Sequence, residues 1–302
     1  MPTSFRGVIP AMVTPMTAKE EVSYALLETL VDDLIDAGVH GLIALGSTGE
    51  FYALTPDERR EVLATVIAKA AGRVPVIAGV NAASTREVLA YSREAEAHGA
   101  AGLLVAPPFY SLPQPDELIE HFRLIDRAVN IPIMLYNFPG RTGVDMKPEL
   151  IEKLAKFKNV RYVKESTGET ARLTEIMLRC GDKLGVFAGG DTVALESLSL
   201  GVCGWVAGLA NVCPREHVEL FDLVTVQKDL DAARKLFHKL YPLFALAENG
   251  GKYAQFVKAA CKIVGRDVGP PRRPLLPATA TEVAQLRAAC KVFRTKSKSR
   301  SS

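Results

Sequence analysis

The sequence predicts a closed, eight-stranded parallel β/α barrel of the TIM type with a C-terminal helical appendage. Short apolar runs rich in Val, Ile and Leu alternate with longer amphipathic segments in eight cycles between residue 7 and about residue 228. The runs carry apolar residues at consecutive positions, the pattern of strands covered on both faces, and such strands pair in parallel when helices separate them. The turn after the first run reads Met12-Val13-Thr14-Pro15-Met16. It lacks the GxGxxG of a doubly wound dinucleotide-binding sheet, so the closed barrel is preferred to the open one.

Taken in order, the predicted strands are Val8 to Val13, Gly41 to Leu45, Val74 to Gly79, Gly102 to Ala106, Ile131 to Tyr136, Arg161 to Lys164, Gly185 to Ala188 and Gly204 to Gly208. The helical patterns between them include Tyr24 to Ala37, Pro56 to Ala71, Ser84 to His98 and Pro115 to Ala128, several opened by Thr-Pro, Ser or Pro start signals. Three more helical patterns follow, roughly Asp229 to Asn249, Lys252 to Val264 and Thr279 to Val292, punctuated by Gly250-Gly251 and Gly269-Pro270-Pro271. They are too short for a second domain with its own sheet. The reading is a catalytic barrel over 1–228, helices packed on it over 229–293, and a basic disordered tail over 294–302.

A chain of 302 residues buries about three quarters of its unfolded surface in one core, so no stapling is needed. The formal charge of +3 comes from the end of the chain, where Lys291, Arg294, Lys296, Lys298 and Arg300 have no acidic neighbour. Removing those five from the 37 basic residues leaves 32 against 34 acidic ones, a net of −2, which argues against nucleic-acid binding by the body of the protein. Cysteines 180, 203, 213, 261 and 290 form an odd, widely spaced set without a CxxC pair, as expected of a reducing cytoplasm. No basic and apolar leader opens the sequence, so no signal peptide is expected. The uncharged stretch from Ser197 to Pro214 is long enough for a membrane span, but its glycines, Asn211 and Pro214 break it into a helix end, a turn and a buried strand.

In such a barrel the chemistry belongs at the C-terminal ends of the strands. There the sequence places Gly46-Ser47-Thr48-Gly49-Glu50 after strand 2, Pro107-Pro108-Phe109-Tyr110 after strand 4, Tyr136-Asn137 at strand 5, Lys164 at strand 6 and Gly189-Gly190-Asp191 after strand 7. Histidines 40, 98, 121, 217 and 238 fall in helix patterns or ahead of a strand, without HxxxH or HExxH spacing, which argues against a metal centre or a Ser-His-Asp triad. A lysine at the mouth of a buried strand is costly unless its charge is paired or lost, and it is then a candidate amine nucleophile. Its plainer reading is an ammonium that snorkels to solvent. Tyr136 shifts the balance, because a phenol at the end of the adjacent strand can shuttle protons while an amine forms and loses a carbinolamine. The GSTGE turn is either a tight connection or a small-anion cradle in which Ser47 and Thr48 offer hydroxyl and N–H donors. Arg141, on a loop held by Pro139 and Gly140, either bridges a neighbouring loop or holds a second carboxylate bidentately.

Together, GSTGE at 46–50, APPFY at 106–110, YNFPGRTG at 136–143, KEST at 164–167 and AGGD at 188–191 resemble the dihydrodipicolinate synthase and N-acetylneuraminate lyase family of class I aldolases. The resemblance implies a Schiff-base lyase in which Lys164 attacks pyruvate, Tyr136 and Ser47 relay protons, and Gly46, Ser47 and Thr48 hold the pyruvate carboxylate. Tyr110 occupies the position of a second relay tyrosine that reaches in from a neighbouring subunit. Gly189 and Val206 are expected to line the substrate site. A homotetramer built as a dimer of dimers is implied; a metal or organic cofactor is not.

Arg141 matches the branch that condenses pyruvate with aspartate semialdehyde to 4-hydroxy-tetrahydrodipicolinate in lysine biosynthesis. The alternative is an aldolase or dehydratase of a 2-keto-3-deoxy sugar acid, 4-hydroxy-2-oxoglutarate or N-acetylneuraminate that uses the same lysine imine. The chain departs from the synthase pattern at Ser47, where a threonine is usual. It departs again in the segment Glu248-Asn249-Gly250-Gly251-Lys252-Tyr253-Ala254-Gln255-Phe256-Val257-Lys258, which lacks an Asn-Pro pair. The stretch after GSTGE has no histidine, which implies weak or absent inhibition by lysine.

Overall fold

Eight parallel strands form one sheet: β1 (Gly7–Pro10), β2 (Leu42–Ala44), β3 (Val76–Gly79), β4 (Gly102–Val105), β5 (Ile133–Asn137), β6 (Val160–Glu165), β7 (Gly185–Ala188) and β8 (Gly204–Ala207). The computed structural model describes residues 5–293; the segment 294–302, read above as a basic tail, lies outside the described residues. From β2 to β8 each strand pairs with its sequence neighbours, and β1 pairs with β8 from Gly7↔Gly204 to Pro10↔Ala207. The expected barrel is therefore present.

The β1–β2 seam is thin. It holds an Ala11↔Ile43 bridge, the Met12 N–H on the Ile43 carbonyl and the His40 N–H on the Val8 carbonyl, both at 2.9 Å, and the Val8 N–H on His40 Nδ1 at 3.1 Å. Asn211, in the turn after β8, ties the outgoing end of β1 to β8 by accepting from the Val13 N–H at 3.1 Å and donating to the Ala11 carbonyl at 2.8 Å. The first strand was expected to run to Val13. Past Pro10 the chain leaves β8 and crosses toward β2, as the stagger of a closing barrel requires.

Among the described residues twelve α-helices surround or cap the sheet: α1 (Tyr24–Asp36), α2 (Pro56–Ala70), α3 (Thr85–Ala97), α4 (Pro115–Ala128), α5 (Pro139–Thr142), α6 (Pro148–Leu154), α7 (Thr170–Cys180), α8 (Ala194–Ser199), α9 (Pro214–Asp222), α10 (Leu230–Asn249), α11 (Tyr253–Ile263) and α12 (Ala280–Ala289). Their start signals act as read. Thr55 and Glu58 close a capping box at α2 with Pro56 in its first turn, and Thr279 and Glu282 do the same at α12. No helix among the described residues is long and apolar enough to cross a membrane. All five cysteines are unpaired thiols.

The two-residue period of the strands sorts their side chains into two layers. Ile9, Ile43, Ile77, Leu104, Met134 and Phe187 fill the barrel interior, while Leu42, Leu103, Leu135 and Val163 face the helices. Each such fully buried aliphatic contributes about 1.5–3 kcal/mol. At the upper edge of the inner layer stand Tyr136 and Val206.

On the outer layer the Trp205 indole of β8 stacks on the His217 imidazole of α9 at 4.4 Å, with Phe244 of α10 edge-on at 5.7 Å. Burial pushes both His217 and His121 of α4 down to about 4. An unfolded histidine titrates near 6.5, so between the two values the unfolded chain binds more protons, and stability is lost as pH falls through that window. Removing the imidazole in His121→Gln should therefore flatten the fall in unfolding free energy between pH 6.5 and 5 by up to about 2 kcal/mol. Urea titrations of both proteins at the two pH values measure it; identical slopes would refute the assignment.

Candidate active site

The register of β5 and β6 builds the centre of the site. Tyr136 is paired with Lys164 and Asn137 with Glu165. Because successive residues alternate in direction, Tyr136 and Lys164 both turn into the barrel mouth while Asn137 and Glu165 turn outward. The inward pair meets: the Lys164 Nζ lies 4.2 Å from the centroid of the Tyr136 ring, and both residues are buried. The outward pair locks the strand ends. Asn137 Nδ2 donates to Glu165 Oε2 at 2.9 Å and to Asp145 Oδ1 at 3.1 Å, and its Oδ1 accepts from the Met146 N–H at 2.9 Å. Arg172 holds Asp145 through both guanidinium nitrogens. Burial raises the Glu165 carboxyl above its usual range, opposed by hydrogen bonds from Asn137 and Thr167.

Across the mouth, the residues after β2 form a tight turn. Leu45 takes φ +60°, and a Cβ on Gly79 would stand 2.1 Å from its carbonyl oxygen, so the neighbouring strand must carry glycine there. Ser47–Gly49 form one turn of 3-10 helix, which leaves Thr48 buried. Thr14 Oγ1 donates to the Gly49 carbonyl at 2.7 Å. Glu50 follows at φ +56°, wholly buried, with Oε1 2.5 Å from Lys258 Nζ of α11 and Oε2 accepting from the Arg272 N–H at 2.8 Å. Lys258 also donates to the Pro270 carbonyl at 2.9 Å. Burial lowers the Lys258 ammonium, and the Glu50 carboxylate opposes that shift. The turn is thus tied to the C-terminal helices.

These elements enclose a cavity of about 560 Å³. Of the residues expected at the site, Lys164, Tyr136, Ser47, Thr48, Arg141, Gly189 and Val206 line it together. Gly46 does not line it and serves as the extended residue that opens the Ser47 turn. Tyr110 also stands apart, 96% exposed on the loop after β4 at φ +74°. Gly189 has no room for a side chain: a Cβ would fall 1.9 Å from Ser166 Oγ and 2.9 Å from the Glu165 carbonyl oxygen. Among the described residues, Arg141 and Lys164 are the only basic side chains on the wall.

Sequence reasoning overlooked several groups at this wall. Asn81 is buried after β3, with Oδ1 accepting from the Ala106 N–H at 2.7 Å. Glu248, at the end of α10, accepts from the Asp191 N–H at 2.5 Å, the Thr192 N–H at 3.1 Å and the Thr192 hydroxyl. Tyr253, at the start of α11, donates to Asp191 Oδ2 at 2.5 Å. The unusual composition of 248–258 was the available signal for the last two; for Asn81 there was none. Among the described residues no three His, Cys, Asp or Glu side chains gather as a metal-binding group.

The arrangement offers an amine, a phenol, hydroxyl donors and one guanidinium around a pocket of small-molecule size. A sequence profile of the dihydrodipicolinate synthetase family matches residues 4–292. The chain belongs to that family. It is 40% identical over 238 residues to the 4-hydroxy-tetrahydrodipicolinate synthase of Alcanivorax borkumensis, covering 79% of this chain and 81% of the relative. To the enzyme of that name from Trichlorobacter lovleyi it is 36% identical over 294 residues, covering 96% and 99%. The crystal structure of the chloride-inhibited dihydrodipicolinate synthase from Acinetobacter baumannii complexed with pyruvate superposes with a TM-score of 0.90 at 32% identity, covering 95% of this chain and 98% of that one. As a member of this family the protein is a lyase, and its barrel with C-terminal helices is the family's fold.

Proposed function

We propose that this lyase is a 4-hydroxy-tetrahydrodipicolinate synthase that condenses pyruvate with aspartate semialdehyde through a Schiff base on Lys164. The observation that carries the reading is the Lys164 amine held against the Tyr136 ring in a cavity with hydroxyl donors opposite and one arginine at the rim. The amine attacks the keto carbon of pyruvate, and the carbinolamine loses water with Tyr136 and Ser47 moving the protons. Ser47 and Thr48 hold the carboxylate, with Gly46 setting the turn. Gly189 leaves space and Val206 gives an apolar wall. Arg141 takes the carboxylate of the incoming aldehyde. Tyr110, too exposed to serve its own pocket, would complete the relay of a neighbouring subunit in a homotetramer arranged as a dimer of dimers.

Pyruvate plus borohydride should add mass to Lys164; an unmodified Lys164 peptide would sink the Schiff-base reading. Arg141→Ala should keep that trapping and lose roughly 10- to 100-fold in kcat/KM for aspartate semialdehyde, the worth of one charge-assisted bidentate contact. Unchanged kcat/KM would remove Arg141 from acceptor binding. A second reading, cleavage or dehydration of a hydroxylated keto acid, is favoured by Thr192, Glu248 and Gln255 at the wall, which are groups suited to hydroxyls. Turnover of keto-sugar acids or 4-hydroxy-2-oxoglutarate in preference to the condensation would select it.

A further inference from the structure

The mouth carries phenols besides Tyr136: Tyr52 after β2 and Tyr253 of α11. Counting around the barrel, Tyr136 ends β5, Lys164 lies on β6, the Asp191 loop follows β7, and Val206 with Gly208 lies at β8. Tyr253 of α11 lies over the β8 end. Its phenol oxygen sits 2.4 Å from where a Cβ on Gly208 would be, a place open only because residue 208 is glycine. Tyr253, Gly208, Val206 and Lys164 share the cavity wall.

Behind the phenol is a carboxylate with no solvent contact. Asp191 Oδ2 accepts from Tyr253 at 2.5 Å and Oδ1 from Trp205 Nε1 at 3.1 Å. The charged and titratable groups that face it are Glu248 at the end of α10, Tyr253 on α11, Lys164 on β6 and Cys213 ahead of α9. Burial first, then the Glu248 charge, pushes Asp191 up to about 7, against the opposing effects of Tyr253, Lys164 and Trp205. Burial likewise holds the Tyr253 phenol well above its ordinary value.

Tyr136 stands against the Lys164 amine, and Tyr253 is a phenol on the same wall whose own proton already has an acceptor, Asp191 Oδ2.

We propose that Tyr253 is the base that removes a proton from the methyl carbon of the lysine-bound pyruvate, with Asp191 as the positioning residue that receives the phenol's own proton. The inference rests on the Schiff-base reading above. As the C–H bond breaks, its electron pair becomes the carbon–carbon π bond of the enamine, and the C=N π pair moves to nitrogen and discharges the iminium. The methyl proton goes to Tyr253 Oη while the phenolic proton passes to Asp191 Oδ2. Charge stays balanced: one iminium and one carboxylate become one enamine and one carboxylic acid. A carboxylate that titrates near neutrality suits that exchange.

Two measurements on pyruvate alone separate this step from imine formation: borohydride trapping on Lys164, and loss of the methyl proton signal in deuterium oxide followed by NMR. Tyr253→Phe and Asp191→Asn should trap pyruvate to the wild-type extent and exchange its methyl protons roughly 10²-fold more slowly, the worth of one general base. Full trapping with exchange within about threefold of wild type in Tyr253→Phe would overturn the proposal, since that lies below any general-base contribution. So would parallel losses of trapping and exchange in both variants, the mark of a merely structural contact. Asp191→Asn keeps the phenol and an acceptor in place, so it reads the proton transfer even where Tyr253→Phe perturbs packing. A wild-type protein that traps no pyruvate refutes the Schiff-base reading itself, before any variant is made.

Discussion

Lys164→Ala is expected to abolish covalent capture of pyruvate and to lower turnover by roughly 10⁴-fold or more, because it removes the route and not one contribution to it. Among the described residues no other amine lines the cavity, Arg141 is the only other basic side chain on its wall, and a guanidinium is not a nucleophile. Lys258, the other buried lysine, is committed to Glu50 and the Pro270 carbonyl. The fold should survive, since the strand ends are locked by Asn137, Glu165 and Asp145 on the opposite face of the sheet. Lys164→Arg should be equally inactive while keeping the charge. Intact-mass analysis after borohydride treatment, paired with a turnover assay, is the check. Retention of trapping by Lys164→Ala would move the nucleophile elsewhere.

Lys258→Met should cost about 3–5 kcal/mol of unfolding free energy, the usual penalty for leaving one partner of a buried ion pair uncompensated. Glu50 and Lys258 are both shielded from solvent, and Glu50 would keep only the Arg272 N–H. Replacing both partners is milder: Lys258→Met combined with Glu50→Gln removes the stranded charge and should regain part of the loss. Urea unfolding of the two single variants and the double variant gives the comparison. A loss below about 1 kcal/mol in Lys258→Met would mean that water or another cation reaches Glu50. The effect should extend to pyruvate affinity, because Glu50 immediately follows the turn that carries Ser47 and Thr48.

The fold and the centre of the site were legible because both depend on local periodicity. Continuous apolar runs between amphipathic stretches identified strands and helices. The same two-residue alternation that buries Met134 carries Tyr136 inward, so the meeting of Tyr136 with Lys164 followed from where two adjacent strands end. Strand limits were less legible. The fifth strand begins at Ile133, not Ile131, and its pairing with β6 shifts between Ile133 and Met134, an irregularity that hydrophobic pattern alone does not mark. Least legible were partners chosen by tertiary packing. Glu50 finds Lys258, and Asp191 finds Tyr253, only because α11 lies across the barrel mouth, and neither member of a pair signals the other. Tyr110 illustrates the converse: its motif was plain, yet within a single chain its side chain is exposed and outside the pocket.

The thin seam between β1 and β2 lies beside the Ser47–Thr48 turn. Elsewhere the cylinder is held by strand-to-strand ladders, but here one bridge and a few hydrogen bonds close it, while Asn211 ties the outgoing end of β1 to the neighbouring turn after β8. A hoop with one weak stave opens there first. An anion seated on the Ser47 turn is bridged to the first strand through Gly49 and Thr14, so it bears on that same stave. Occupancy and closure are then linked: a ligand that binds only the closed form tightens the hoop by its own binding free energy. On the proposed reading, the substrate acts as the last fastening of the scaffold that holds it.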